Sequence, residues 1–120
     1  MNKPSILLVE DEENLHEALK LNLELEGYEV TGCYDGATAL KVIQQEHFDL
    51  IILDVMLPEV DGISVCETIR LNNHVIPILI LSAKSSSADR VLGLKKGADD
   101  YLTKPFEHDQ LVTAVKTRLA

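Results

Sequence analysis

Leu50-Ile51-Ile52-Leu53-Asp54 is a continuous apolar run that stops at a carboxylate. Two more runs share its form: Ile6-Leu7-Leu8-Val9 stops at Glu10, and Ile78-Leu79-Ile80-Leu81 stops at Ser82. Apolar without alternation, each suits a strand covered on both faces. Two weaker strands fit near Glu29–Tyr34 and Asp100–Thr103. Helical patterns separate them. Glu13–Glu26 carries Leu15, Leu19 and Leu23 with Ala18 in a stripe, and Gly27 is placed to cap it. Asp35-Gly36 opens a second helix, with Ala37, Leu40 and Ile43. Gly62–Leu71 carries Cys66 and Ile69; Ser86–Lys96 stops at Gly97; Glu107–Ala120 carries Leu111, Val115 and Leu119. Five strand–helix pairs in alternation predict an α/β fold with a single five-stranded parallel sheet, doubly wound. Each parallel crossover needs a connection of helix length.

The 120 residues suit one domain. Apolar residues are 46% and charged residues 26%, the balance of a folded chain rather than a disordered one. No apolar run approaches the ~18 residues of a membrane span. The N-terminus lacks the basic-then-apolar layout of a signal peptide, so the expected location is cytoplasmic. Cys33 and Cys66 are too few for a disulfide scaffold or a zinc cluster and read as small buried apolar side chains. His16, His47, His74 and His108 form no metal spacing and read as surface residues. Net charge is −9, unevenly spread: residues 1–60 hold three basic and thirteen acidic side chains, residues 61–120 eight and seven. That acid excess argues against this segment gripping a phosphate backbone by itself.

In open parallel sheets the active crevice lies outside the carboxyl ends of the strands. The first strand delivers Glu10 and Asp11 there, the third Asp54, the fourth Ser82 and Ala83, and the fifth leads to Thr103, Lys104 and Pro105. If the three strong strands are neighbours, three carboxylates, a hydroxyl and an ammonium converge. Crowded carboxylates repel, so either one takes a proton or a cation sits among them. Oxygen ligands without histidine or thiol favour a hard cation, and few protein ligands plus water favour Mg²⁺. A carboxylate beside Mg²⁺ can attack a phosphoryl group and form an acyl phosphate. Lys104 and Ser82 are placed to meet the growing charge on its oxygens.

These motifs, in this order, resemble the receiver domain of a two-component response regulator over essentially all of residues 1–120. They are Glu10-Asp11, Asp54, Met56-Leu57-Pro58 with Asp61-Gly62, Leu81-Ser82-Ala83, Gly97-Ala98-Asp99-Asp100-Tyr101 and Lys104-Pro105-Phe106. The resemblance implies a flavodoxin-like strand order, 2-1-3-4-5. It implies that Asp54 takes a phosphoryl group from the phosphohistidine of a sensor histidine kinase or phosphotransfer protein. Glu10, Asp11, Asp54 and the backbone carbonyl of Met56 would hold Mg²⁺, with Glu10 acting through water. Lys104 and Ser82 would contact the phosphoryl group. Tyr101 would be the aromatic switch that follows Ser82, and Pro105 would follow a cis peptide. Such a domain is a regulatory module rather than an enzyme, catalysing only its own phosphorylation and slow dephosphorylation.

The chain resembles most the winged-helix transcription-factor subfamily. That implies transcription regulation through an output domain or partner, and signalling through the fourth helix, fifth strand and fifth helix, the face carrying Arg90, Lys95, Lys96, Lys116 and Arg118; a regulator with a separate DNA-binding domain, a stand-alone receiver and the receiver of a hybrid kinase all fit the sequence. Members of that subfamily form homodimers through this face by charge pairs. On the last helix, where they have a glutamate and then an arginine, this chain has Gln110 and Ala114. A nucleotide-binding module has no support, since neither glycine-rich phosphate loop is present. A haloacid-dehalogenase-type phosphatase would need a second aspartate two residues after the nucleophile, where this chain has Met56. A pseudo-receiver that binds without phosphorylation is the other function class, and the complete set Glu10, Asp11, Asp54, Ser82 and Lys104 speaks against it.

Overall fold

Strands form where the apolar runs lie: β1 Ser5–Val9, β2 Glu29–Cys33, β3 Leu50–Asp54, β4 Ile78–Ser82 and β5 Asp100–Thr103. The structure is a computed structural model, which describes residues 3–57, 60–72, 74–83 and 86–119. Pro58 of the Met56-Leu57-Pro58 motif, Ser85 and Ala120 lie outside the described residues. The strands make one parallel sheet in the order β2-β1-β3-β4-β5, the flavodoxin-like order expected. Between them run α1 Glu13–Leu25, α2 Gly36–Gln45, α3 Gly62–Leu71 and α4 Ser87–Lys95, and α5 His108–Leu119 follows β5. Predicted and observed ends differ by at most one residue.

Local chemistry sets the helix ends. Glu12 caps α1 by accepting the Asn14 and Leu15 amides, so its acid is spent on the first turn. Asp35, Asp61 and Ser86 cap α2, α3 and α4 in the same way. Gly27 and Gly97 follow α1 and α4 at φ 97° and 116°, where the chain turns off the helix.

The sheet separates two apolar layers. Leu7 and Val9 of β1 point to one side with Ile51, Leu53, Ile78 and Ile80, under Ala39 and Ile43 of α2 and Val65, Cys66 and Ile69 of α3. Ile6 and Leu8 point to the other with Leu50, Ile52, Leu79 and Leu81, under Leu19 and Leu23 of α1 and Leu111 and Val115 of α5. Every residue of β3 and β4 is buried. Each such leucine or isoleucine contributes roughly 1.5–3 kcal/mol on burial. Both thiols are buried and free, as the composition suggested, and burial pushes the Cys66 thiol up to about 11.

Helix α4 differs from the others. Its one buried residue among those described is Gly93, packed against the Tyr101 ring and Ile80. Val91, Leu92 and Leu94 are exposed. It is therefore the helix held by the least apolar contact.

Candidate functional site

The topology sets β1, β3 and β4 side by side, so the residues that end them meet. Glu10 follows Val9, whose register partner on β3 is Leu53, so Glu10 and Asp54 leave neighbouring strands at one level. The Glu10 amide donates to the Cys33 carbonyl at 3.1 Å, extending the β1–β2 ladder by one residue. Asp54 pairs with Leu81, and Ser82 pairs with Thr103, which brings Lys104 in beside them. The Lys104 amide donates to the Ser82 carbonyl at 2.7 Å. The Lys104–Pro105 peptide is cis, as the family resemblance implied.

The Asp54 loop is held by α3. Gly62 donates its amide to the Val55 carbonyl at 2.8 Å. A Cβ at Gly62 would lie 2.7 Å from Val55 Cα and 2.9 Å from the Asp54 carbonyl carbon. Only a glycine lets the helix start this close to the strand end. The Met56 amide turns back to Asp54 Oδ1 at 3.2 Å, while the Met56 side chain is exposed.

One oxygen from each of Glu10, Asp11 and Asp54 lies within 4.8 Å of the others. Glu10 is fully buried, Asp54 is 4% exposed and Asp11 faces solvent. Lys104 Nζ donates to Glu10 Oε1 at 2.8 Å and stands 3.4 Å from Asp54 Oδ2. Burial pushes the Glu10 carboxyl above its ordinary value; hydrogen bonds from Lys104 and the Glu12 amide pull it part of the way back, and the Asp54 charge adds to the rise. Burial pulls the Lys104 ammonium down, but its hydrogen bond to Glu10 and the two carboxylate charges outweigh this and leave it above the ordinary lysine value. One ammonium thus meets two of three clustered carboxylates. An all-oxygen cluster of this kind, open to water on the Asp11 side, could hold a hard divalent cation.

Ser82 is fully buried at the end of β4, and Tyr101 is 4% exposed. The Arg90 guanidinium lies over the Tyr101 ring, 5.6 Å from its centroid. Tyr101 is thus packed inward beneath α4.

Residues 6–116 match the family model described as the response regulator receiver domain. The chain belongs to the response-regulator receiver family. Its relatives include a probable transcriptional regulatory protein of Picosynechococcus, 48% identical over 98% of this chain and 49% of that protein. The alkaline phosphatase synthesis transcriptional regulatory protein PhoP of Bacillus subtilis is 50% identical over 99% of this chain and 49% of its own length. The receiver thus spans about half the length of these relatives, both named as transcriptional regulators. Among solved structures it is similar to a Francisella response regulator receiver domain, with a TM-score of 0.94, 38% identity, and coverage of 97% of this chain and 96% of that one. It is also similar to a Vibrio cholerae chemotaxis protein, with a TM-score of 0.91, 30% identity, and coverage of 97% and 98%. No helix among the described residues of the receiver is long and apolar enough to cross a membrane.

Two sequence expectations need correction. His16 is not on the surface: it is 1% exposed beneath the Glu10 turn. His47 and His108 are exposed, and His74 is half-buried. Ala18, read as part of the α1 stripe, faces solvent, because the buried set is His16, Leu19 and Leu23. Leu15 is half-buried and packs against the same layer as Leu19 and Leu23, as expected. The spacing 16, 19, 23 fits a helix face equally well, and a histidine there was taken for a polar position.

Proposed function

We propose that this receiver accepts a phosphoryl group on Asp54 from a phosphohistidine of a sensor kinase or phosphotransfer protein, in a reaction that requires Mg²⁺. The observation that carries the reading is the meeting of Asp54 with Lys104 on one side and the Glu10-Asp11 pair on the other. Glu10, Asp11, Asp54 and the Met56 carbonyl would hold the ion, all of them hard oxygen donors. Bound there, Mg²⁺ would neutralise charge on the phosphoryl oxygens.

The chain's own groups do the rest. A carboxylate oxygen of Asp54 forms the bond to phosphorus while the phosphorus–nitrogen bond of the donor breaks, its electron pair leaving with the imidazole. Lys104 turns from Glu10 and Asp54 toward the added oxygens, and the Ser82 hydroxyl donates to them. An apolar groove of about 400 Å³, lined by Leu15, Ala83, Lys104, Pro105 and Phe106, opens beside Lys104 and offers the donor protein a seat.

The added charge biases the weakly anchored α4 and the Tyr101 ring beneath it. The changed α4-β5-α5 surface then carries the signal to an output domain beyond residue 120, or to a second copy of the chain. Transcription regulation is the output that the two named relatives support. In this reading residues 1–120 form a single receiver that works in the cytoplasm.

Acetyl phosphate with Mg²⁺, followed by intact mass, tests the proposal. The expected product carries one phosphoryl group, and Asp54→Ala carries none. An unmodified wild-type protein, or a modified Asp54→Ala, would overturn it and leave a binding-only module.

A further inference from the structure

The buried histidine has a polar task. His16 Nδ1 lies 2.8 Å from the backbone carbonyl oxygen of Glu10. A carbonyl only accepts, so Nδ1 carries the proton and donates. The ring lies almost flat on Tyr34, with centroids 4.0 Å apart and planes 14° apart. Tyr34 in turn donates its hydroxyl to Glu17 Oε1 at 2.9 Å. On the other side the ring fills the place of a side chain on β2. A Cβ added to Gly32 would collide with Nε2 and lie 2.9 Å from Cε1. Gly32 is the register partner of Leu8, two residues before Glu10.

We propose that His16 is a positioning residue for the Glu10-Asp11 carboxylate pair. The Glu10 backbone is held on both sides: its amide donates to Cys33 and its carbonyl accepts from His16. That carbonyl belongs to the peptide plane from which Asp11 hangs. An apolar side chain of equal size would fill the hollow over Gly32 but leave the carbonyl at the fully buried Glu10 without this donor. Buried carbonyls find partners, and rotation of the Glu10–Asp11 peptide toward water is the route open to this one. Such a rotation carries the Asp11 carboxylate away from Glu10 and Asp54. His16 touches none of the reacting groups; it acts through the backbone that carries two of them, as outer partners orient metal ligands elsewhere. The Gly32 hollow and the Tyr34 stack fix the ring's plane, so that the donor points at one atom.

The inference rests on the Mg²⁺ reading of the cluster, and one calorimetric experiment separates the two. MgCl₂ is titrated into the metal-free chain and its variants. His16→Leu is expected to lose about 10-fold in Mg²⁺ affinity, the lower end for outer-partner losses. His16→Asn, with a side-chain N–H near the place of Nδ1, stays close to wild type. His16→Ala with Gly32→Ala fills the vacated space with a methyl group. It regains the thermal midpoint lost in His16→Ala alone but not the affinity, which a purely structural role for His16 would not produce. In the metal-free chain the Asp11 amide resonance moves in His16→Leu and keeps its place in His16→Asn. Should His16→Leu fail to fold, the double variant and His16→Asn carry the comparison. Wild-type affinity in His16→Leu or the double variant would overturn the role of His16 alone. Equal losses in His16→Asn and His16→Leu would do the same. A wild-type chain that takes up no Mg²⁺ would overturn the metal site and this inference together.

Discussion

The two ends of the sheet use aspartate in opposite ways. At the amino end Asp49 and Asp99 each close a small ring with a neighbouring strand. The Asp49 amide donates to the Ser5 carbonyl at 2.8 Å, and the Ser5 amide donates back to Asp49 Oδ2 at 2.7 Å. The Asp99 amide donates to the Ile78 carbonyl at 2.9 Å, and the Ile78 amide donates back to Asp99 Oδ2 at 2.8 Å. Arg70 adds an ion pair to that carboxylate at 2.9 Å. These acids complete strand starts that would otherwise lack partners. At the carboxyl end Glu10 and Asp54 share one lysine, and an Asp11 oxygen lies within 4.8 Å of theirs. The larger hollow, about 550 Å³, lies at the amino end beside Lys3, His47 and Arg118; the chemistry gathers at the other. The lesson is that acid at one end completes backbone ladders, while at the other it is held against its own repulsion, where the proposed chemistry would use it.

The sharpest way to break the comparison is to add the cation. Mg²⁺ at a hundred times its dissociation constant should stabilise the chain by about 2.7 kcal/mol, read by urea unfolding. Asp11→Asn should remove most of that gain, whereas Asp49→Ala and Asp99→Ala should keep it. An equal loss in all three would erase the distinction between the ends. Without metal, Asp99→Ala should cost about 2 kcal/mol and Asp49→Ala about 1 kcal/mol, since each strands a strand-start amide and Asp99 also leaves Arg70 without its carboxylate. Neither should change Asp54 phosphorylation measured by intact mass.

The smallest effect is one of pH. Glu10 in the metal-free fold has its pKa above the ordinary value of 4.5, so the folded state binds its proton more tightly than the unfolded one. Its contribution is therefore favourable below 4.5 and declines as pH rises through the shifted value. Lys104, raised above 10.5, adds stability at lower pH and loses it as pH rises past its own shifted value. Subtracting the stability of Glu10→Gln from that of wild type across pH should give a difference that falls above 4.5. A difference that rises would mean that the Lys104 pair outweighs burial at this position.

Much of the site could be read from the chain because parallel sheets deliver their working residues at strand ends. Three apolar runs named their own terminal residues, Glu10, Asp54 and Ser82, and the sheet order brought them together. The helix stops at Gly27 and Gly97 were legible for a similarly local reason, a residue suited to positive φ after an apolar stripe. His16 was not legible, because its burial depends on a missing side chain sixteen residues away, at Gly32. Nor were the rings at Asp49 and Asp99, which exist only once Ser5 and Ile78 lie alongside. Relations between two distant positions have no trace in the spacing of either.

Glu10 and Lys104 are separated by 94 positions yet joined at 2.8 Å. Synthesis proceeds from the amino end, so a chain that has emerged through β4 holds every acid of the cluster and lacks its lysine. The contact that first offsets their charge spans 94 positions, and such non-local contacts are slow to form. The acids therefore first meet their lysine in the same event that adds β5 to the sheet.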